Sequence, residues 1–315
     1  MRKMQKAWFY NEYGSLDVLQ FGDFPVPKPG PGQILVKVRA AALNPMDIKR
    51  RKGLFRNNDS DFPAVPGCDM CGVVEEVGEG VSKFKKGDEV YSDIQYFTSE
   101  KPKDCGTLAQ YTVVEEDLAA HKPKNLSFEE AASLPLALLT AQQAFDEVNF
   151  QKGWSVFIVG GAGGVGSLAI QLAKHVYGAS RIVSTCSTGK VEFVKSLGAD
   201  LAVDYTKQSY DQVDEKFDFV LDTIGESMKS YVVGKELEAP IIDIAALYDH
   251  HPSAKYLFFV PSASNLERLR EYIESGKLRA VIDPKSPYAF SEVLEAFKHQ
   301  ESGRARGKIV ISPIE

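Results

Sequence analysis

The chain has 315 residues, a formal net charge of −6 at pH 7, 44% apolar residues and 25% charged residues. This length suits two domains, and a globular composition that is not basic argues against nucleic-acid binding and favours a small-molecule partner. No apolar run approaches the roughly 20 residues that span a bilayer, and the N-terminal residues lack the apolar core of a signal peptide. Four cysteines do not suggest a disulfide framework, so a reducing compartment is expected.

The first part of the chain, up to about residue 122, has strand patterns separated by Gly and Pro. Strands are predicted at QILVKVRAAAL (33–43), CGVVEEVGEGV (71–81) and GDEVYSDI (87–94), and GTLAQYTVVEEDLAAHKP (106–123) predicts one more strand pair. No internal repeat is visible. The sequence therefore predicts a β-rich first domain.

The pattern changes near Ser127, which with Glu130 fits a capping box at the start of a helix. Further on, strands are predicted at WSVFIV (154–159), RIVSTC (181–186), LAVDY (201–205) and FDFVLDTIG (217–225). Helices are predicted between them at Ser167–His175 and GKVEFVKSLG (189–198). Such alternation predicts a doubly wound parallel sheet.

The last part of the chain predicts two amphipathic helices and a strand. They are ASNLERLREYIESGKL (263–278), SPYAFSEVLEAFKHQESG (286–303) and GKIVIS (307–312). Periodicity leaves open whether this tail completes the parallel sheet or returns to the first domain.

Between the strand 154–159 and the following helix lies the segment GGAGGVG, in which Gly161, Gly163 and Gly166 fit G-x-G-x-x-G. Gly163 and Gly164 would let the backbone approach a pyrophosphate at the helix N-terminus, and Gly166 would let helix and strand pack closely. A tight turn without a ligand is the alternative. Because the order strand, loop, helix is the required one, the segment predicts a dinucleotide site.

The end of the second predicted strand indicates which dinucleotide binds. An NAD site usually carries an acidic residue there for the ribose hydroxyls, but no Asp or Glu occurs in residues 181–190. That stretch instead contains Ser184, Thr185, Ser187, Thr188 and Lys190. Hydroxyl groups and an ammonium suit a 2′-phosphate, so NADP(H) is predicted. In the alternative interpretation Ser187 caps the next helix and Lys190 is a solvated surface residue.

Cys68 and Cys71 form a C-x-x-C pair, but only Cys105 and Cys186 remain as further cysteines. The five histidines form no cluster with metal-ligand spacing relative to them. The pair is interpreted as two small buried side chains, with a redox pair or a metal site as the alternatives. No metal is predicted.

Five segments spread over the chain carry motifs of one enzyme group: LNPMDIKRRKG (43–53), FPAVPGCDMCGVVEEVGEGVSKFKKGDEVY (62–91), AASLPLALLTAQQAF (131–145), GGAGGVGSLAIQLAKHVYGA (160–179) and ESGRARGKIVI (301–311). They resemble the zinc-independent quinone oxidoreductase branch of the medium-chain dehydrogenase/reductase superfamily. Within it, the chain is most similar to the plant enone oxidoreductases, a group that includes 2-methylene-furan-3-one reductases and chloroplast alkenal/one oxidoreductases.

The resemblance implies an α/β protein with a GroES-like catalytic domain (1–122 and 264–315) and a Rossmann NADP(H)-binding domain (123–263). It implies metal-free hydride transfer from NADPH to the activated C=C bond of enones, alkenals or furanones. Quinone reduction and a non-catalytic NADPH-binding role are the alternatives. A cytoplasmic location is expected, with the chloroplast as the alternative, and a homodimer is compatible with the pattern.

The resemblance also implies the residues of the cofactor site. The matching positions are Asn44, Lys49, Gly161, Gly163, Gly164, Val165, Gly166, Ser187, Thr188, Lys190, Tyr205, Ile244, Phe258, Phe259, Val260 and Arg304. Asn44 and Lys49 would order the nicotinamide ribose, Ser187 to Lys190 with Tyr205 would surround the 2′-phosphate, and Ile244 with 258–260 would flank the nicotinamide. Tyr96 is a further candidate for the substrate pocket, with an ordinary loop aromatic as the alternative.

The chain departs from related sequences at two places. The zinc alcohol dehydrogenases of the superfamily carry a cysteine and a His-Glu pair where this chain has Asn44-Pro45 and Cys68-Asp69. After FVLDTIGE, the segment APIIDIAAL, which contains Ile244, replaces the G-G-x-V-V strand of the family.

Overall fold

The structure is a computed structural model that describes residues 3–95, 103–234, 239–246 and 251–315. The chain forms two compact units. Unit 1 comprises Met1–Leu136, Val260–Glu271 and Ile282–Glu315, and unit 2 comprises Ala137–Phe259 and Tyr272–Val281. Within the described ranges, no helix combines the length and apolarity needed to cross a bilayer.

In chain order the described elements are β1 (Met4–Phe9), β2 (Gln20–Pro25), β3 (Gln33–Ala42), α1 (Pro45–Arg51), β4 (Asp69–Val77), β5 (Glu89–Asp93), β6 (Tyr111–Glu115), β7 (Ala120–His121), α2 (Phe128–Ala132), α3 (Pro135–Glu147), β8 (Ser155–Val159), α4 (Gly164–His175), β9 (Arg181–Cys186), α5 (Val191–Ser196), β10 (Leu201–Asp204), β11 (Phe219–Asp222), α6 (Ser227–Ser230), β12 (Ile241–Asp243), β13 (Ala254–Tyr256), α7 (Ala263–Glu274), α8 (Val293–Glu301) and β14 (Val310–Ile311).

Unit 1 contains an antiparallel sheet of order β14-β3-β4-β5-β7, with β6 pairing the first half of β3. The strands predicted at 33–43, 71–81 and 87–94 are confirmed as β3, β4 and β5. The prediction of a strand pair in 106–123 is wrong in its pairing, because β6 pairs with β3 whereas β7 pairs with β5. The last strand, β14, pairs with β3, so the tail returns to unit 1.

The core of unit 1 joins the start of the chain to its end. Apolar side chains of β3 and β4, such as Ile34 and Met70, are fully buried with Phe297 of α8 and Ile311 of β14. The indole N–H of Trp8 donates to the Phe290 carbonyl at 2.7 Å. Helix α2 begins with the predicted capping box, since the Glu130 N–H donates to Ser127 Oγ and the Ser127 N–H donates to the Glu130 carboxylate.

Unit 2 is built on a six-stranded parallel sheet of order β10-β9-β8-β11-β12-β13. This is the strand order of a Rossmann dinucleotide fold, in which the chain reverses direction of winding after the third strand. Strand β8 is buried on both faces, as parallel strands covered by helices are. The doubly wound sheet predicted from the alternating pattern is confirmed, and α4 begins at Gly164 rather than at Ser167.

Candidate functional site: a dinucleotide cradle and a buried lysine–carboxylate cluster

The glycine loop of unit 2 is a tight turn that is tied to the neighbouring strand β9. Gly160 adopts φ +82°, which glycine reaches without strain. Its N–H donates to Thr185 Oγ1 at 2.9 Å, and the Gly161 N–H donates to the Thr185 carbonyl at 2.9 Å. The turn therefore holds a fixed position at the carboxyl ends of β8 and β9.

The glycines of the loop differ in which atoms lie where a side chain would otherwise be. A Cβ on Gly161 would lie 2.1 Å from Ser184 Oγ, and one on Gly166 would lie 2.2 Å from the Gly160 carbonyl oxygen. A Cβ on Gly163 would meet only that same oxygen, at 3.5 Å, which is an ordinary contact. The protein itself therefore requires glycine at 161 and 166 for packing, whereas the space at Gly163 is open to a ligand.

The first turn of α4 offers backbone donors beside this space. Gly163 is the N-cap and provides no side-chain bond, and the first intrahelical bond runs from the Ser167 N–H to the Gly163 carbonyl. By helix geometry the N–H groups of residues 164–166 have no acceptor within the helix. These groups and the positive end of the helix dipole fit a pyrophosphate, as the sequence predicted.

The residues predicted to surround a 2′-phosphate lie together at the carboxyl edge of β9. Ser187 occupies the N-cap position of a short 3-10 turn that contains Thr188 and Lys190, without a side-chain capping bond. The Tyr205 N–H donates to the Cys186 carbonyl at 3.1 Å, and the Tyr205 side chain is 57% exposed. The edge thus combines hydroxyl groups, an ammonium and an exposed aromatic ring.

Asp204 is a feature of this edge that the sequence reasoning missed. It ends β10, paired with Cys186, and its carboxylate accepts bonds from Thr188 Oγ1 at 2.6 Å and Thr206 Oγ1 at 2.7 Å. These hydroxyl groups hold the pKa of Asp204 at about 2, below the ordinary value of an aspartate. Residues 181–190 contain no acid, and this aspartate comes from the adjacent strand β10, in LAVDY.

Ile244 directly follows β12 at the same carboxyl edge of the sheet of unit 2. Its N–H donates to the Asp222 carbonyl at 3.0 Å, and the carboxylate of Asp243 accepts from the N–H groups of Ala245 and Ala246 at 2.9 Å. The unusual segment APIIDIAAL therefore does supply a parallel strand. Phe258, 73% exposed, and Phe259 follow β13 near the end of unit 2, and Val260 begins the next segment of unit 1.

In unit 1, Asn44 is the N-cap of α1, the helix that carries Lys49. The Asn44 N–H donates to Asp47 Oδ2 at 2.8 Å, and Asp47 Oδ1 accepts from the Gly67 N–H at 3.2 Å. Lys49 lies half-buried two residues after Asp47. The start of α1 is thereby tied to the turn before β4.

A buried ion pair lies beside Asn44. The Lys308 ammonium donates to Asn44 Oδ1 and, at 2.9 Å, to Asp69 Oδ2, which also accepts from Asn44 Nδ2 at 3.0 Å. The other oxygen of Asp69 accepts from the Leu136 N–H at 2.8 Å. Asp69 is fully buried and Lys308 is 5% exposed. Both residues lie in motifs of the sequence, but their contact is not predictable from those motifs.

Two further buried carboxyl groups belong to this region. Asp93 pairs with Asp69 across β4 and β5. Burial raises the pKa of Asp93 well above its usual value, and the neighbouring Asp69 raises it further. Burial also raises the pKa of Asp47, to about 6. The cluster therefore places two carboxyl groups that ionise less readily than an ordinary aspartate beside a charged pair.

The remaining predicted residues lie elsewhere or outside the described ranges. Arg304 is exposed in the segment between α8 and β14, where its N–H donates to Ser302 Oγ at 3.3 Å. Tyr96 lies outside the described residues. Cys68 and Cys71 are free and buried, and burial raises the pKa of both thiols, so each packs as a small apolar side chain.

Two family models match the chain. The model described as "Alcohol dehydrogenase GroES-like domain" matches residues 30–124, and the one described as "Zinc-binding dehydrogenase" matches residues 197–311. The description of the second model names zinc, so the residues of this chain must be compared with a zinc site.

The residues at the positions of the zinc ligands in the alcohol dehydrogenases do not fit a metal ion. The Asn44 amide is bonded to Lys308 and Asp69, and Cys68 Sγ donates to Asp47 Oδ1 at 3.3 Å. The ammonium of Lys308 already lies against the Asp69 carboxylate. In the part of the chain that the structure describes, no group of three or more His, Cys, Asp and Glu side chains is arranged to hold a metal.

Known proteins are similar to this chain over nearly its whole length, which includes both units. The chain is 50% identical over 310 residues to a 2-methylene-furan-3-one reductase of Solanum lycopersicum, covering 98% of this chain and 79% of the relative. It is 48% identical to an "NADPH-dependent alkenal/one oxidoreductase, chloroplastic" of Arabidopsis thaliana, covering 99% and 80%. The solved quinone oxidoreductase of Coxiella burnetii superposes with a TM-score of 0.86 at 32% identity, covering 98% and 99%. The chain therefore belongs to the medium-chain dehydrogenase/reductase superfamily.

Proposed function

We propose that this chain is an NADPH-dependent oxidoreductase that reduces the activated C=C bond of α,β-unsaturated carbonyl compounds such as alkenals, enones and furanones. The observation that carries the proposal is the 48–50% identity, over nearly the whole chain, to relatives named as an alkenal/one oxidoreductase and a furanone reductase. The glycine loop and the acid-free end of β9 agree with NADPH as the cofactor.

In this proposal unit 2 binds the dinucleotide. The N–H groups of Gly164, Val165 and Gly166 bind the pyrophosphate and the open space at Gly163 leaves room for it, while Gly161 allows the loop to pack against Ser184. The adenosine part of NADPH, with its 2′-phosphate, is bound by Ser187, Thr188, Lys190 and Tyr205. Ile244 and residues 258–260 flank the nicotinamide.

Bound NADPH supplies the hydride, which leaves the chain's residues the tasks of orientation and charge stabilisation. Addition at the β-carbon places negative charge on the substrate carbonyl oxygen, which donors near that oxygen would stabilise. Asn44 and Lys49 are proposed to order the nicotinamide ribose, and Arg304 is proposed to close on the cofactor. Tyr96 is proposed to line the substrate pocket. Precise placement of the reacting carbons is the main source of rate acceleration in such a site.

The proposal includes the domain limits 1–122 with 264–315, and 123–263, for the catalytic and cofactor-binding domains. It also includes a homodimer, because β13 is the outermost strand of the unit 2 sheet among the described residues and edge strands can pair with another chain. Light scattering on the purified protein would measure the oligomeric state. For location we propose the cytoplasm, with the chloroplast as the alternative because one relative is named as chloroplastic.

Quinone reduction is a second candidate function, favoured by the similarity to the solved quinone oxidoreductase. Steady-state NADPH oxidation over a panel of alkenals, furanones and quinones, with NADH as the control cofactor, separates the two. The proposal expects turnover of enones with loss of the C=C bond in the product and a preference for NADPH. Turnover of quinones alone would favour the second candidate, and NADH preference would contradict the assignment of the β9 edge.

Lys49 offers a variant that tests the proposed site. Lys49→Met keeps the length of the side chain but removes the ammonium that is proposed to order the nicotinamide ribose. Lys52→Met is a matched control, because Lys52 follows the same helix and lies 53% exposed near Glu301. We expect Lys49→Met to lower kcat/KM at least tenfold, about 1.4 kcal/mol of transition-state stabilisation, with little change in the control.

A further inference from the structure

Lys308 is an ionised side chain buried deep in unit 1, and its surroundings explain how the charge is tolerated. Its ammonium is bonded to the amide oxygen of Asn44 and to the carboxylate of Asp69. A buried charge is stable only when it is paired and its remaining protons find acceptors, and both partners provide this. The pair in turn fixes the Asn44 amide, because Asn44 Nδ2 donates to the same oxygen of Asp69 at 3.0 Å.

The Lys308 ammonium also acts on two carboxyl groups besides that of its direct partner, Asp69. Burial is the main effect that raises the pKa of Asp47 and of Asp93, and the positive charge of Lys308 opposes that rise at both. Lys308 thus provides a positive charge to a group of three buried carboxyl side chains.

We propose that Lys308 is a positioning residue of the reductase site, a built-in cation that holds the Asn44 amide and Asp69 and so fixes the start of helix α1. This inference rests on the proposed function, since α1 carries Lys49. Lys308 itself is not assigned a contact with the substrate or the cofactor.

The path from Lys308 to Lys49 is short and consists of bonds already described. Lys308 and Asp69 together bond both ends of the Asn44 side-chain amide, so this side chain has one orientation. Asn44 caps α1, and its N–H is bonded to Asp47, one turn into the helix. Loss of the ammonium would leave the Asn44 oxygen without this donor and would place an unpaired carboxylate next to it. The first turn of α1, and with it Lys49, would then shift.

A purely structural role makes a different prediction from a positioning role, and a double variant separates them. Lys308→Met alone leaves the Asp69 charge buried and unpaired, which is expected to lower the melting temperature strongly. Adding Asp69→Asn removes that charge while it keeps an oxygen for the Leu136 N–H. We therefore expect the double variant to regain most of the lost melting temperature but not the fixed orientation of Asn44.

The experiment compares the wild type, Lys308→Met, the double variant Lys308→Met/Asp69→Asn and the control Lys122→Met. Lys122 is also a largely buried lysine of unit 1, 7% exposed and paired with Glu89 at 3.2 Å, but it does not contact Asn44 or Asp69. Three quantities are measured for each: the melting temperature, the Kd for NADPH from fluorescence titration, and kcat and KM with the best enone.

If Lys308 has a positioning role, the double variant melts within a few degrees of the control. Its kcat/KM is nevertheless lowered about 100-fold, which is the loss that a displacement of about 1 Å can cause. It also predicts that kcat falls along with a weaker NADPH affinity. Recovery of wild-type kcat/KM together with stability would overturn the inference. If the wild type turned over no acceptor, the proposed function would fail, and the Kd for NADPH would still decide whether Lys308 acts on the cofactor site. An unchanged Kd in the double variant would then overturn the inference separately.

Discussion

Replacing Gly166 by alanine is the sharpest test of the glycine loop, because the added Cβ has only backbone to meet. It would lie 2.2 Å from the Gly160 carbonyl oxygen, 2.8 Å from its carbon and 2.9 Å from the Gly161 Cα. A relaxed contact needs 3.4 Å or more, so α4 and the loop must separate by about 1 Å. Such overpacking costs about 1–3 kcal/mol, or about 3–10 °C in melting temperature.

Gly163→Ala is the matched variant with the opposite expectation. Its Cβ would meet one atom at 3.5 Å, and Gly163 has φ −81°, which alanine adopts freely. The free energy of unfolding should fall by less than about 1 kcal/mol, because the Cβ has no close neighbour and the only cost is that alanine is a poorer N-cap than glycine. The methyl group would, however, stand in the space assigned to the pyrophosphate, so the Kd for NADPH should rise at least tenfold.

Thermal unfolding and fluorescence titration with NADPH, performed on both variants and the wild type, check the two expectations. Gly166→Ala should lose stability and affinity together, whereas Gly163→Ala should lose affinity with a clearly smaller loss of stability. Wild-type affinity in Gly163→Ala would refute the assignment of this loop as a phosphate cradle. Wild-type stability in Gly166→Ala would refute the packing argument.

Three more predictions concern charge and metal. The pKa of Asp47 is about 6 instead of an ordinary 3.8, so between these pH values the folded state keeps a proton that the unfolded chain releases. The free energy of unfolding therefore falls as pH rises from 3.8 through 6, by roughly 3 kcal/mol. Urea unfolding of the wild type and of Asp47→Asn across this range should show a steeper loss in the wild type, because the raised pKa of Asp93 contributes to both proteins; parallel curves would contradict it. Asp204→Asn removes a negative charge beside Thr188, so NADPH should bind a few-fold more tightly while NADH binding stays constant, a difference that shrinks as salt is added. Dialysis against a strong chelator should leave NADPH turnover unchanged, because the groups at the would-be zinc position are bonded to one another; loss of turnover that zinc restores would contradict this.

The fold was largely predictable because most of its signals are local. The predicted strand RIVSTC coincides with β9, Ser127 and Glu130 form the expected capping box, and the strand–loop–helix order around Gly163 is observed. The pairing of β6 with β3 and of β7 with β5 was not predictable from the pattern, because both strands also fit a hairpin. Strand pairing over long sequence separations depends on packing that periodicity does not record.

The candidate site was predictable in unit 2 and much less so in unit 1. Gly163, Gly166 and the end of β9 lie along one continuous stretch, so their spacing carries the information. Lys308 and Asp69 are 239 residues apart and meet only because β14 pairs with β3 beside β4. Asp204 was missed for a related reason, since it reaches Thr188 from the neighbouring strand.

The pairing of β14 with β3 has a consequence for the order in which the protein is made. Unit 1 is assembled from three separate stretches of the chain, and the whole of unit 2 is synthesised before Ile282 leaves the ribosome. Because domains fold as units during synthesis, unit 2 can complete its sheet while β3 still lacks its final neighbour. Until Lys308 emerges, Asp69 has no ammonium to pair with, and its charge opposes burial. The core of unit 1 therefore closes only after β14 has been synthesised, because β14 pairs with β3 and the preceding Lys308 pairs with Asp69.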